Sequence, residues 1–97
     1  MIIVEAKCKA KPGKRDAFIE AAQPCIAATR REKGCITYRL YKSTENDVDL
    51  LYFEIWTDRD ALASHAASDH MKAFAEAKKA GGVEEGSADV TVYDIKE

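Results

Sequence analysis

The sequence has little of what membrane-spanning, disulfide-linked and nucleic-acid-binding proteins depend on. No apolar run approaches the roughly 18 residues that a membrane-spanning helix needs. The 3 cysteines form no C-x-x-C pair, and their odd number argues against a disulfide framework. With 15 Lys and Arg against 17 Asp and Glu, the net charge of -2 lacks the basic excess that phosphate binding requires. We therefore expect a cytoplasmic protein with no membrane span and no nucleic-acid partner.

Glycine and proline are also scarce, at 5 and 2 residues, which argues against a disordered or fibrous chain. Hydrophobic residues make up 46% of the sequence and charged residues 33%, a balance typical of a folded globular protein. Single domains usually contain about 100 to 150 residues. The 97 residues therefore predict one domain that spans positions 1–97.

The hydrophobic pattern alternates between strand and helix periods along the chain. Period-two alternation predicts strands at 2–10, 35–43 and 88–96, the last preceded by a polar loop at 83–87, and an apolar run predicts another strand at 50–56. A helical stripe predicts a first helix at 14–33, with a kink or break at Pro24 and an end at Gly34. A short helix and a longer one follow the third strand. The order β-α-β-β-α-β predicts a ferredoxin-like α+β fold, a four-stranded antiparallel sheet with helices on one face.

The predicted third strand is unusual because it is apolar on both faces. Positions 50–56 are apolar except at Glu54. Helices on one side of the sheet cover only one face, so the other face needs another cover. We hypothesise that a second copy of the chain packs against it, sheet to sheet, to form a homodimer.

The two histidines are the first candidates for chemistry. His65 lies on the same helix face as Leu62, so it is either a buried core histidine or an acid/base group. His70 lies near a helix N-terminus, where an ordinary hydrogen-bonded or exposed histidine is the simpler interpretation. Their spacing of five across a helix break does not match a helical metal pair, so no metal site is predicted.

Glu54 and Trp56 share one face of the third strand. Unless Arg39 or another donor pairs with Glu54, desolvation raises its pKa toward that of a working acid or base. The alternative is a structural ion pair at a subunit interface. Trp56 and Tyr38 either stack on a planar aromatic ligand or belong to the core.

Several short motifs, taken in order, resemble the antibiotic biosynthesis monooxygenase family over essentially the whole chain. They are Lys11-Pro12-Gly13-Lys14, Thr29-Arg30, Glu32-Lys33-Gly34-Cys35, Tyr38, Glu54-x-Trp56, Ala61-Leu62-x-x-His65 and Ser68-x-His70-Met71-Lys72-Ala73-Phe74. The resemblance implies a ferredoxin-like chain that pairs with a second copy into a dimeric α/β barrel. Haem breakdown, another activity in this superfamily, is disfavoured because the first strand lacks the Asn that it uses.

The resemblance implies oxidation of a small electron-rich aromatic, of the quinol or anthrone type, by O₂ without a cofactor or metal. An electron-rich phenolate reduces O₂ itself, so the protein need only bind, deprotonate and desolvate it. The candidate catalytic residues are His65 as base, with Glu54 and Trp56. The candidate substrate-binding residues are Phe18, Arg30, Tyr38, His70, Met71 and Phe74.

Two other functions stay open at this point. An acid/base isomerase of a small carbonyl compound would use His65 and Glu54 to move a proton without consuming oxygen. A non-catalytic stress-response protein would only bind a small aromatic molecule. Oxygen uptake separates the oxygenase from the isomerase, and saturable binding without turnover identifies the binding protein.

Overall fold

The computed structural model describes residues 1–96, which form a four-stranded sheet with helices on one face. The elements are β1 (Ile2–Ala10), α1 (Arg15–Thr29), β2 (Cys35–Lys42), β3 (Asp49–Trp56), α2 (Arg59–Ala66), α3 (Asp69–Gly81) and β4 (Glu84–Asp94). The strand order is β2-β3-β1-β4, and every neighbouring pair is antiparallel. This arrangement confirms the predicted ferredoxin-like fold, in which two helices, α2 and α3, follow β3.

β1 lies inside the sheet and supplies the centre of the core. Its alternation is confirmed, because every second residue from Ile2 to Ala10 is buried. Ala6 lies opposite Tyr52 of β3 on one side and Val90 of β4 on the other. The small residues of β1 therefore lie between two neighbouring strands that carry larger side chains.

α1 buries the predicted stripe but is shorter than the sequence pattern suggested. The buried residues are Phe18, Ala22, Cys25, Ile26 and Thr29. The prediction that the helix extends to position 33 is wrong, because backbone N–H groups of Arg31 and Glu32 bond three residues back, as in turns. Gly34, with φ 93°, lies beyond these turns and is not the residue that ends the helix.

Pro24 does not break α1, which continues from Arg15 to Thr29. Proline lacks the N–H that would bond the carbonyl of Glu20. Both Pro24 and Glu20 are exposed, so water can satisfy that carbonyl. The helix therefore tolerates proline on its solvent side.

α2 and α3 begin at side-chain caps. Asp58 accepts a hydrogen bond from the Ala61 N–H at 2.8 Å, and Ser68 accepts one from the Met71 N–H at 3.3 Å. Each cap satisfies a backbone donor that the first helical turn leaves unpaired. These two caps position His65 on α2 and His70 on α3. Of the helices in the described part of the chain, none is long and apolar enough to cross a bilayer.

β4 begins earlier than predicted. The sequence suggested a polar loop at 83–87, but Glu84 and Glu85 pair with Ala10 and Lys9 of β1. Polar composition was misleading because β4 is an edge strand with mostly exposed side chains. Gly86, with φ 67°, lies in the stretch where the register between the two strands shifts.

β3 has one buried and one partly exposed face. Four alternate residues are buried on the side of the helices: Leu50, Tyr52, Glu54 and Trp56. Leu51, Phe53 and Ile55 point to the opposite face, where they are only half-buried. The uncovered face is therefore apolar along this strand, as the sequence pattern predicted.

We expect Gly34→Ala to lower the free energy of unfolding by about 3 kcal/mol. An added Cβ would lie 2.6 Å from the Cβ of Ala61 and 2.8 Å from the Oγ1 of Thr57. Overpacking costs about 1–3 kcal/mol and a left-handed backbone about 1–2 kcal/mol for residues other than glycine. Urea denaturation followed by circular dichroism measures the change.

Gly13→Ala is the matched control, because Gly13 has φ 75° but no atom within 4 Å of an added Cβ. It should lose only the backbone contribution, about 1 kcal/mol. Equal losses in the two variants would show that the contact between Gly34 and α2 is unimportant.

Candidate active site

A cavity of about 260 Å³ lies between the sheet and the helices α2 and α3. Residues from all four strands and both helices line it: Val4, Ala6, Cys8, Tyr38, Tyr52, Glu54, Leu62, His65, Ala66, Met71, Phe74, Ala75, Lys78, Glu84, Ala88 and Val90. Most of these side chains are apolar, and the polar ones are few. A largely apolar pocket with a few convergent polar groups is the usual form of a small-molecule site.

His65 is the central polar group of this cavity. It projects from α2, and its side chain is 4% exposed. Its ring packs against Trp56, with 4.7 Å between ring centroids, and against Tyr38 at 5.3 Å. Its Nδ1 lies 2.7 Å from Oε2 of Glu32. Aromatic packing and this hydrogen bond together fix the orientation of the imidazole.

Glu32 also contacts the second histidine. Nε2 of His70 lies 2.8 Å from the same Oε2 atom of Glu32. An ionised carboxylate only accepts hydrogen bonds, so both ring nitrogens that face it must carry a proton. For a neutral His65 this selects the tautomer with a proton on Nδ1 and a lone pair on Nε2.

Glu54 is buried on β3 with one hydrogen-bond donor. The indole Nε1 of Trp56 donates to Oε1 of Glu54 at 2.9 Å. Burial raises the pKa of Glu54 above its ordinary value, while the Trp56 hydrogen bond and the neighbouring His65 oppose that rise. The sequence analysis looked for a donor such as Arg39, and the structure supplies Trp56 instead.

Among residues 1–96, the hydroxyl of Tyr52 is the one fully buried side-chain nitrogen or oxygen atom without a hydrogen-bond partner. Its ring packs against that of Tyr38, with 5.5 Å between centroids. Burial raises the pKa of both phenols, so both are protonated at neutral pH. Tyr52 lines the cavity, and its hydroxyl lacks the hydrogen bond that buried polar groups usually make.

The structure brings five of the predicted site residues together around the cavity. They are Tyr38, Glu54, His65, Met71 and Phe74. Trp56 is fully buried behind them, against His65 and Glu54. It therefore supports the site from within the core.

The other three predicted substrate-binding residues do not line the cavity. Phe18 is fully buried in the core, edge-on to Phe74 at 5.9 Å. Arg30 is exposed, and its Nε donates to the backbone carbonyl of Tyr38 at 3.0 Å. His70 contacts Glu32 instead. Helical spacing showed which residues share a face but not how far along the sheet each one lies.

Sequence reasoning missed Glu32 and Tyr52 as site residues. Position 32 fell within the predicted helix 14–33. Because α1 ends at Thr29, Glu32 lies beyond the helix and contacts α2 and α3. Tyr52 lies two residues before Glu54 on the same strand, so strand alternation could have identified it.

The model of the antibiotic biosynthesis monooxygenase family matches residues 1–77, and the chain belongs to that family. It is also similar to the protein sll1783 of Synechocystis sp., with 34% identity over 96 residues. That match covers 99% of this chain, and the chain spans 64% of the length of the Synechocystis protein.

Two further similarities extend this finding. The protein named "Putative monooxygenase YcnE" of Bacillus subtilis is 31% identical over 74 residues, which cover 76% of this chain and 78% of that protein. The crystal structure of a conserved protein from Methanosarcina mazei Go1 superposes with a TM-score of 0.87 at 32% identity, covering 98% of this chain and 92% of that one.

We expect Glu54→Gln to gain stability relative to the wild type as the pH rises above about 4.5. The raised pKa means that the folded state binds the Glu54 proton more tightly than the unfolded state. The wild type therefore loses stability as pH rises from the ordinary pKa of 4.5 through the raised folded value. Glutamine does not titrate, so the variant lacks this loss.

Urea denaturation from pH 4 to pH 8 tests this dependence, with the exposed Glu76→Gln on α3 as control. The free energy of unfolding of Glu54→Gln minus that of the wild type should increase as the pH rises. The substitution itself can add a constant difference, which does not affect this trend. A difference between Glu54→Gln and wild type that is independent of pH would contradict the account.

Proposed function

We propose that this chain is a monooxygenase that oxidises a small electron-rich aromatic of the quinol or anthrone type with O₂ and without a cofactor. The observation that carries the proposal is a buried histidine, His65, held by Glu32 beside a largely apolar cavity. Membership of the antibiotic biosynthesis monooxygenase family supports the reaction class, as does the name of the Bacillus relative.

The first step needs a base at the cavity wall. Because Nδ1 of His65 donates to Glu32, Nε2 holds the lone pair that accepts a proton from a phenolic hydroxyl. The carboxylate of Glu32 stabilises the imidazolium that results. Packing against Trp56 and Tyr38 keeps the ring in place through the transfer.

The resulting phenolate supplies the electrons for the rest of the reaction. In the apolar cavity it transfers an electron to O₂, and the two radicals combine to form a C–O bond. Loss of water from the peroxide then leaves one oxygen atom on the substrate. A hydroquinone and O₂ give a hydroxylated quinone and H₂O, so atoms and electrons balance without an external reductant.

The size of the cavity favours a quinol over an anthrone. Ligand pockets for drug-sized molecules usually measure about 300–1,000 Å³, and this cavity of about 260 Å³ lies just below that range. Val90, which is half-exposed, borders the cavity and gives it an edge at the protein surface beside β4. A molecule of one or two rings fits this volume best.

The unpartnered hydroxyl of Tyr52 also favours a substrate with a second oxygen. A buried hydroxyl without a partner costs about 1–3 kcal/mol, which a ligand oxygen would recover. His65 and Tyr52 both pack on the ring of Tyr38, at 5.3 and 5.5 Å between centroids. A quinol has two hydroxyl groups, so one oxygen would contact His65 and the other would contact Tyr52.

The placement of Glu54 favours a second candidate, an acid/base isomerase of a small carbonyl compound. Glu54 and His65 line the same cavity, and burial raises the pKa of Glu54. Two such groups can remove a proton at one carbon and return one at another. This reaction consumes no oxygen, so oxygen uptake distinguishes it from the proposed function.

We also propose that two copies of the chain form a homodimer through the uncovered face of the sheet. Leu51, Phe53 and Ile55 of β3 form an apolar row on this face. Tyr41 and Tyr93, on the edge strands β2 and β4, are nearly half exposed. An apolar patch of this kind is typical of a protein interface.

Wild-type protein treated with a chelator should consume O₂ when it is supplied with hydroquinones, at rates above the autoxidation blank. His65→Gln removes the base, so we expect its turnover to fall by at least about 100-fold. An oxygen electrode measures the rates. The exposed Glu76→Gln serves as the control for surface substitution and should keep the wild-type rate.

Two outcomes would contradict this proposal. A His65→Gln variant that keeps the wild-type rate would remove His65 from the mechanism. Absence of uptake with every hydroquinone and anthrone would reject the oxygenase and favour the isomerase or the binding protein.

Phe53→Asp should dissociate or unfold the proposed dimer, because it places a charge in the middle of the apolar row on β3, where a partner chain would bury it. Light scattering during gel filtration measures the mass. Ala77→Asp, at an exposed position of α3 on the other side of the molecule, is the matched control and should remain dimeric. A Phe53→Asp protein with an unchanged dimer mass would contradict the sheet-to-sheet interface.

A further inference from the structure

Three potential metal ligands converge beside the cavity from three different segments. Oε2 of Glu32, Nδ1 of His65 and Nε2 of His70 all lie within 4.8 Å of one another. Glu32 comes from the turns after α1, His65 from α2 and His70 from α3. The five-residue separation of the histidines in sequence gave no sign of this cluster, because the third ligand is supplied by a distant segment.

The donor set matches the chemistry of one group of metal ions. Two imidazole nitrogens and one carboxylate oxygen are ligands that Zn²⁺, Co²⁺ and similar divalent transition ions prefer. Ca²⁺ and Mg²⁺ prefer sites made only of oxygen. Three protein ligands also leave a further coordination position for water.

The geometry requires only a small adjustment. The carboxylate oxygen lies 2.7 and 2.8 Å from the two nitrogens, as in a hydrogen-bonded cluster. Ligands at about 2.0–2.2 Å from a tetrahedral zinc ion lie roughly 3.4 Å apart, so these two pairs must open by about 0.6–0.7 Å. The two histidine nitrogens lie within 4.8 Å of each other. The side chains of Glu32 and His70 are 15% and 24% exposed, which gives an ion an approach from the surface.

We propose that Glu32, His65 and His70 form a binding site for a divalent transition-metal ion of the zinc type. Binding requires a lone pair on Nδ1 of His65 and on Nε2 of His70, the atoms that donate to Glu32 without metal. Each neutral ring meets this need by moving its proton to its other nitrogen. No net proton release is needed for the neutral rings.

This shift has a consequence that rests on the proposed function. With a metal ion on Nδ1, neutral His65 carries its proton on Nε2 and can no longer accept one from a phenol. The metal-bound protein is therefore inhibited as an oxygenase. The metal ion is in this account a regulator or an inhibitor and takes no part in the reaction.

Titration of the chelator-treated wild type with Co²⁺, followed by visible absorption, and with Zn²⁺, followed by calorimetry, tests the site directly. We expect one ion per chain. His70→Gln and Glu32→Gln should each weaken binding by at least about tenfold, since even groups that only support metal ligands have effects of that size. Circular dichroism of each variant confirms that it is folded.

Two control variants separate this cluster from other ligands. Glu76→Gln removes an exposed carboxylate from α3. Cys35→Ser removes a partly buried thiol at the start of β2, three residues after Glu32. Both variants should bind Co²⁺ as the wild type does. Histidine ring signals of both His65 and His70 should shift when Zn²⁺ is added to the wild type in an NMR experiment.

Three results would overturn the proposal: no binding by the wild type, unchanged binding by His70→Gln, or a thiolate charge-transfer band that disappears in Cys35→Ser. Inhibition is measured separately, as the ratio of oxygen uptake with and without Zn²⁺ for each variant. Loss of inhibition in His70→Gln supports the regulatory role. If no substrate is oxidised, the proposed function fails while the binding data still decide the metal site.

Discussion

The candidate site depends on one carboxylate oxygen that two histidines share. Oε2 of Glu32 accepts from His65 at 2.7 Å and from His70 at 2.8 Å, and these three residues come from separate segments. Hydrogen bonds to a charged group contribute about 1.5–3 kcal/mol each, so the cluster also ties α2 and α3 to the end of α1. The same contact selects the tautomer in which Nε2 of His65 acts as a base.

The rest of the site is built to keep that histidine in place. Trp56 packs on the His65 ring and donates to Glu54, so one residue connects the base to the second ionisable group. The buried face of β3 therefore carries a polar pair inside an otherwise apolar layer. Burying a carboxylate is costly, and a fold retains it most readily where it has a role.

Much of the fold could be predicted because its signals are local. Alternation from Ile2 to Ala10 and the stripe from Phe18 to Thr29 depend only on residue spacing, and the structure confirms both. The early end of α1 and the early start of β4 depend instead on tertiary contacts. Glu32 bonds His65 and His70 in the turns beyond the helix, and pairing with β1 draws Glu84 into a strand.

The candidate site could be predicted only in part, for the same reason. Glu54 and His65 stood out as polar residues on apolar faces, and both line the cavity. Glu32 carried no such signal, because its role arises from the meeting of three segments that are far apart in sequence. Phe18 lies on the expected helix and Arg30 just past its end, and neither lines the cavity.

The central claim, that Glu32 holds His65 with its lone pair on Nε2, is tested most directly by nitrogen-15 NMR of the histidine rings in metal-free protein at neutral pH. The account predicts a protonated Nδ1 and an unprotonated Nε2 for His65, with the Nε2 signal shifting when a hydroquinone is added without oxygen. A His65 ring protonated on Nε2, or one whose signals do not respond to the hydroquinone, would contradict it.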